Sequence, residues 1–121
     1  MNILFLTSLK KAFLGLWYVT KTQNNFRIQI CGLSVVVLMG IVIRLNLWEW
    51  IFLLASMVSV LVLEIINTAF EKLLDVIKPR LDERVGVIKD MMAAAVLLVS
   101  GGAFLVCLVI FLPRFVGILQ Q

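Results

Sequence analysis

The sequence predicts an all-α membrane protein in which an N-terminal amphipathic surface helix is followed by three transmembrane helices. The 121 residues are 63% hydrophobic, whereas soluble domains are about half apolar. Three apolar stretches, at residues 26–45, 48–78 and 86–112, are long enough to cross a bilayer. Residues 1–24 are too mixed in polarity to do so. The whole chain, residues 1–121, is predicted to form a single membrane domain.

The N-terminal segment is predicted to lie on the cytoplasmic surface of the membrane. Its apolar residues recur at helical spacing and its polar residues share another face, which is typical of an interfacial helix. The apolar positions are Leu6, Leu9, Phe13, Leu16 and Trp17, and the polar ones are Thr7, Lys10 and Lys11.

The second membrane helix is predicted to extend beyond the membrane. It begins near Trp48 and meets no helix breaker before Pro79. Those residues span roughly 45 Å at 1.5 Å per residue, which is more than the hydrocarbon core of a bilayer. Its C-terminal part is therefore expected to project into the cytoplasm. The third helix is expected to run from about Met91 to Leu112, with Pro113 ending it.

The distribution of basic residues predicts the orientation. Nine of the eleven lie on one proposed side of the membrane, and such residues concentrate in the cytoplasm. The nine are Lys10, Lys11, Lys21, Arg27, Lys72, Lys78, Arg80, Arg84 and Lys89, and the other two are Arg44 and Arg114. The N-terminus is thus predicted to be cytoplasmic and the C-terminus external. These residues suit lipid headgroups, and no soluble basic face is present to bind nucleic acid.

Four polar residues that follow the apolar part of the second helix share one narrow stripe. Glu64, Asn67, Glu71 and Asp75 fall at about 0°, 300°, 340° and 20° around the helix axis. Carboxylates at the edge of a membrane are expensive to hold there, so they indicate a functional site. The short loop to the third helix is expected to return its first residues to the side of this stripe.

The polar residues of the sequence exclude some kinds of chemistry and favour others. The chain has no histidine and no P-loop, so a histidine base and a Walker-type nucleotide site are excluded. Carboxylates can hold Mg²⁺ together with phosphates, a nearby lysine can neutralise phosphate charge, and a carboxylate can take a proton from a lipid hydroxyl. The stripe could instead be a solvated helix end or a helix–helix contact, and spacing alone leaves these alternatives open.

Residues 64–75 read Glu-Ile-Ile-Asn-Thr-Ala-Phe-Glu-Lys-Leu-Leu-Asp. This block resembles the E-x-x-N-[ST]-A-x-E-x-x-x-D signature of the small bacterial integral-membrane lipid kinases, the diacylglycerol kinase/undecaprenol kinase family. Residues 89–96, Lys-Asp-Met-Met-Ala-Ala-Ala-Val, follow at the family's spacing. The segments 25–28 and 111–114 are also similar to the family, so the resemblance covers nearly the whole chain.

The resemblance implies ATP-dependent phosphorylation of a lipid alcohol at the cytoplasmic face, with Mg²⁺. The substrate would be either undecaprenol or diacylglycerol. The protein would be a homotrimer with active sites shared between subunits, in the inner or plasma membrane of a bacterium. The site residues that it implies are Glu64 as catalytic base, Asn67 as a positioning group, Glu71 as metal ligand, and Asp75, Lys89, Asp90 and Lys11 as nucleotide-binding residues.

Two positions depart from the family's pattern. Gln23 stands where members commonly have a glutamate that is a second metal ligand; its amide oxygen can still coordinate, but without charge. Gln29 stands where many undecaprenol-type members have histidine, so the choice of lipid stays open.

Two other functional classes compete with a lipid kinase. A non-enzymatic pore or holin-like protein matches in size and number of spans, but it needs no stripe of acid and amide side chains. A small transporter would place its carboxylate near the middle of the bilayer, whereas Glu64 is expected near the cytoplasmic interface.

Overall fold

The computed structural model describes residues 3–77 and 83–120 as four helices: α1 (Ile3–Thr22), α2 (Asn24–Ile43), α3 (Leu47–Ile77) and α4 (Glu83–Leu119). Each of the four is long and apolar enough to cross a membrane. The prediction of an all-helical membrane protein is therefore confirmed. Helix α3 packs against both α4 and α2, while α1 packs against α2. Pro79, Lys78 and Arg80, which entered the sequence predictions, lie outside the described residues.

Helix α1 differs from the other helices in composition. Its most apolar stretch of 18 residues has a mean hydropathy of 1.2, against 2.2, 2.1 and 2.8 for such stretches of α2, α3 and α4. Val19 is its buried residue. Gln23 separates it from α2 because its backbone is extended, with φ −111° and ψ 113°. By length and composition α1 is itself a candidate span, so its location on the membrane surface stays a prediction.

The turn between α2 and α3 is built from two capping motifs. Arg44 adopts a left-handed conformation, with φ 58°, and the Leu45 N–H donates to the Gly40 carbonyl at 3.1 Å, which closes the last turn of α2. Asn46 and Glu49 then cap α3 reciprocally, since each side chain accepts a hydrogen bond from the other's backbone N–H, at 2.9 and 2.8 Å.

The buried apolar core lies beside this turn, where α2, α3 and α4 meet. Trp50 packs against it, and its ring approaches α2 at Gly40. A Cβ atom at Gly40 would lie 2.7 Å from the Trp50 ring and 2.9 Å from Leu45, so only glycine allows this approach. The buried residues of the core are Leu45, Leu53, Ile110 and Phe111.

Helix α4 continues beyond Pro113 to Leu119, so the prediction that Pro113 ends this helix is wrong. Proline removes a backbone hydrogen bond, but contacts with neighbouring helices can compensate for the loss in a membrane protein. Here the next residue, Arg114, forms an ion pair with Glu49 at 2.5 Å and donates to the Ile43 carbonyl at 3.4 Å. These contacts fasten α4 to both α2 and α3 just after the proline.

Candidate functional site

Glu64 is buried in the middle of α3, with 3% of its surface exposed. Thr68, one turn further on, is equally buried, and its hydroxyl donates to the Glu64 carbonyl oxygen at 2.9 Å. Thr68 is thus satisfied within its own helix. The Glu64 carboxylate needs donors from elsewhere, because a buried charge without hydrogen bonds is costly.

Gln29 on α2 supplies such a donor. Its Nε2 atom donates to Oε2 of Glu64 at 3.3 Å. The Oε1 atom of Gln29 is buried and has no hydrogen-bond partner in the described part of the chain. In the sequence Gln29 stands out as a departure from the family's pattern, but nothing in its position along the chain predicts that it lies beside Glu64. The available signal was an amide within the otherwise apolar run of residues 28–43.

Asn67 and Glu71 form the next part of the stripe. The Asn67 side chain is half-buried, and its Nδ2 atom lies 3.5 Å from Oε1 of Glu71, at the long limit of a hydrogen bond. Glu71 is exposed. The stripe therefore passes from a buried carboxylate to an accessible one within two helical turns.

Asp75 forms an ion pair with Lys89, which lies near the start of α4 and was expected beside the stripe. The Lys89 Nζ atom lies 3.0 Å from Oδ1 of Asp75. This contact confirms the expectation that the chain returns beside the stripe after α3. Both side chains are substantially exposed, at 44% and 62%, so both can contact a ligand. Asp90 is exposed as well.

Lys11 and Gln23 are not joined to the stripe within one chain. Lys11 is exposed on α1 and Gln23 is half-buried between α1 and α2. Among the residues that the structure describes, no hydrogen bond or ion pair connects either of them to α3 or α4.

The side-chain oxygen atoms of the candidate metal ligands can be compared with what Mg²⁺ requires. In residues 3–77 and 83–120 no group of three or more acidic, histidine or cysteine side chains converges. Mg²⁺ does not require such a cage, because it commonly binds one or two carboxylates together with waters and substrate phosphates. The Glu71 carboxylate is a donor of that type, and it fits an ion that arrives with a phosphate ligand. The Gln23 amide oxygen is a neutral donor, and no hydrogen bond among the described residues joins it to Glu71.

The stripe places a proton acceptor at one end and groups that can bind metal and phosphate at the other. Eleven residues separate Glu64 from Asp75, or about 16 Å along the helix. The buried end offers a carboxylate in apolar surroundings, where it can accept a proton from a hydroxyl. The exposed end offers carboxylates and a lysine, which can hold a metal ion and phosphate groups.

Comparisons with known proteins agree with this chemistry. Residues 10–111 match the family model described as "Prokaryotic diacylglycerol kinase". The chain is also similar to the undecaprenol kinase of Bacillus subtilis (strain 168), with 28% identity over 110 residues, which is 91% of this chain and 89% of that protein. The matched region contains all the candidate site residues.

Proposed function

We propose that this chain, which belongs to the prokaryotic diacylglycerol kinase family and is a lipid kinase, transfers the γ-phosphoryl group of MgATP to a membrane lipid alcohol. The observation that carries the proposal is the buried Glu64 carboxylate on the same stripe as the exposed Asp75–Lys89 pair. The family description supports diacylglycerol as the acceptor, and the relative's name supports undecaprenol. The pore and transporter alternatives have no support from these matches.

Glu64 would act as the general base. As the lipid hydroxyl oxygen forms a bond to the γ-phosphorus, the bond from that phosphorus to the ATP bridging oxygen breaks, and ADP leaves. The hydroxyl proton passes to the Glu64 carboxylate. The hydrogen bond from Gln29 holds this carboxylate in one orientation, and Asn67 would position the reacting groups from one turn away.

The exposed part of the stripe would bind the nucleotide. Lys89 would neutralise phosphate charge, and Asp75 holds it by the 3.0 Å ion pair. Asp90 and Lys11 would add contacts to the nucleotide. Glu71 and Gln23 would hold Mg²⁺, which neutralises charge on the phosphates when it is bound.

We also propose that the protein acts as a homotrimer at the cytoplasmic face of the plasma membrane. Among the residues that the structure describes, no hydrogen bond or ion pair links Lys11 or Gln23 to the stripe, which favours a site completed by a neighbouring chain. Large apolar side chains are exposed on all four helices, as expected for surfaces that meet lipid or other subunits.

Phosphate transfer from labelled ATP by the purified protein in mixed micelles tests this function. We expect labelled product with undecaprenol or diacylglycerol and none without lipid. Glu64→Gln should lower turnover by about 10²-fold or more, the usual scale for general-base catalysis. Glu83→Gln, the same change at an exposed position of α4, is the matched control. Near-normal turnover in Glu64→Gln would exclude Glu64 as the base.

A further inference from the structure

Ser100 on α4 differs from the other serine and threonine residues of this chain. Within residues 3–77 and 83–120, each of the others donates a side-chain hydrogen bond to a carbonyl oxygen of its own helix, at 2.8–3.0 Å. The Ser100 hydroxyl makes no hydrogen bond in this part of the chain, although the residue is half-buried. Serine hydroxyls inside membrane proteins commonly bond to a neighbouring helix, so this donor is available to another helix.

The Gln29 side chain on α2 offers the matching acceptor. Ser100 and Gln29 both line a cleft of about 250 Å³ between α2, α3 and α4. The Oε1 atom of Gln29 is buried and lacks a donor in the described part of the chain, and buried polar atoms normally have a partner. The walls of one cleft therefore carry a donor without an acceptor and an acceptor without a donor.

Helix geometry places these two side chains at the same level of the molecule. Helices α2 and α4 run in the same direction, because each packs beside α3 after a short connection. Val36 on α2 and Cys107 on α4 line the other end of the cleft, where both pack against the buried core. Seven residues before each of them, or about 10 Å along the helix, come Gln29 and Ser100. The hydrogen bond from Gln29 brings Glu64 of α3 to this level as well.

The Gln29 amide must face Glu64 with its donor end. Its Nε2 atom donates to the carboxylate at 3.3 Å. If the amide group turned over, Oε1 would face the carboxylate instead, and two acceptors would repel each other. A hydrogen-bond donor on the far side of the amide disfavours this turned orientation.

We propose that Ser100 is a positioning residue for Glu64. Its hydroxyl hydrogen-bonds Oε1 of Gln29 through one bridging water, and this keeps Nε2 of Gln29 towards the carboxylate. A water suits this place because no direct hydrogen bond joins the two side chains within the described residues, and the cleft has room and polar partners for it. This inference rests on the proposed function, in which Glu64 accepts the proton of the lipid hydroxyl.

Removal of the Ser100 hydroxyl should lower kcat without weakening substrate binding. With dioleoylglycerol or undecaprenol as acceptor, we expect Ser100→Ala to reduce kcat about threefold, the factor that a typical interhelical hydrogen bond in a membrane protein contributes. The KM values for ATP and acceptor should not change, and Ser100→Thr, which keeps a hydroxyl, should restore kcat. Ser34→Ala is the matched control, because Ser34 is exposed and donates to the Ile30 carbonyl of its own helix at 2.9 Å.

A double-mutant cycle tests whether Ser100 acts through Gln29. Gln29→Leu removes the donor to Glu64 and should lower kcat about tenfold. In that background Ser100→Ala should have no further effect, since coupled residues are not additive. Additive effects, or a Ser100→Ala variant that changes only Tm or KM, would overturn the proposal.

Nuclear magnetic resonance gives a readout that does not need turnover. In protein labelled with ¹⁵N at the glutamine side-chain amides, the Gln29 signal is the one that Gln29→Leu removes. Ser100→Ala should shift this signal, and Ser34→Ala should leave it in place. A Gln29 signal that Ser100→Ala does not move, in an enzyme that phosphorylates lipid, would reject the role of Ser100. A shifted signal in a protein that phosphorylates no lipid would reject the kinase function and keep the contact between Ser100 and Gln29.

Discussion

The Glu64 carboxylate is an ionisable group held in largely apolar surroundings. It lies almost fully buried in a helix that is otherwise apolar at this level. One hydrogen bond from Gln29 offsets part of the cost, since hydrogen bonds to charged groups contribute about 1.5–3 kcal/mol. A protein gains little stability from such an arrangement, which is why we propose Glu64 for proton transfer.

Gln23 should determine how much Mg²⁺ the enzyme needs. Mg²⁺ is a hard, doubly charged ion and binds a carboxylate better than an amide oxygen. Gln23→Glu should therefore lower the Mg²⁺ concentration for half-maximal activity, and Gln23→Ala should raise it modestly. Asn25→Asp adds the same charge at an exposed position of α2 and is the control. Superimposable Mg²⁺ titrations of wild type and both Gln23 variants would remove Gln23 from the metal site.

Lys89 should matter for ATP binding much more than for stability. Exposed ion pairs such as Asp75–Lys89 contribute only about 0–1 kcal/mol to stability, so Lys89→Ala should unfold at nearly the wild-type temperature. Its KM for ATP should rise about tenfold or more, because a charge-assisted contact to phosphate is lost. Lys72→Ala removes an exposed lysine from α3 and should leave the KM for ATP near wild type. An unchanged KM in Lys89→Ala would favour the interpretation of a solvated helix end.

At the scale of helices, the turn between α2 and α3 is where the three packed helices are fastened together. The left-handed Arg44 and the Asn46–Glu49 caps set the turn from α2 to α3. Arg114 ties α4 to the same turn. The buried core residues Leu45, Leu53, Ile110 and Phe111 lie beside the same turn.

Gly40, beside the turn between α2 and α3, should tolerate substitution poorly. Gly40→Ala would force the Trp50 ring and Leu45 to move, and overpacking of this kind costs about 1–3 kcal/mol. Thermal unfolding in detergent micelles should show a lower Tm for Gly40→Ala than for Gly117→Ala, where an added Cβ meets nothing within 4 Å. Equal Tm values for the two variants would contradict the close helix contact.

For the whole molecule, the location of α1 decides on which sides of the membrane the two termini lie. If α1 lies on the surface, three spans place the termini on opposite sides of the membrane; if α1 crosses, four spans place them on the same side. The positive-inside rule predicts a cytoplasmic N-terminus and an external C-terminus. Such a topology keeps Lys11 on the side of the nucleotide.

Cysteine labelling can decide this topology. Single cysteines at Thr7 and Gln120, in a chain with Cys31 and Cys107 replaced by serine, should react with a membrane-impermeant reagent from opposite sides. The Thr7 position should react only after the cells are opened. Reaction of both positions from one side would mean that α1 also crosses the membrane.

The sequence by itself determined the properties that depend on local periodicity and composition. These are the helical membrane fold, the long α3 helix, and the stripe that carries Glu64 and Asp75. The short connection after α3 also made the approach of Lys89 to Asp75 predictable, since helices joined by a short loop run side by side. Such features follow from residues near one another in the chain.

Only the tertiary structure decided which side chains from different helices meet. Three contacts depend on the rotation and relative height of the packed helices. They are the Gln29–Glu64 hydrogen bond, the approach of Trp50 to Gly40, and the ion pair of Arg114 with Glu49, which lies just beyond Pro113. Local periodicity specifies a face of a helix but not its partner. That choice is made by the packing of all three helices at once.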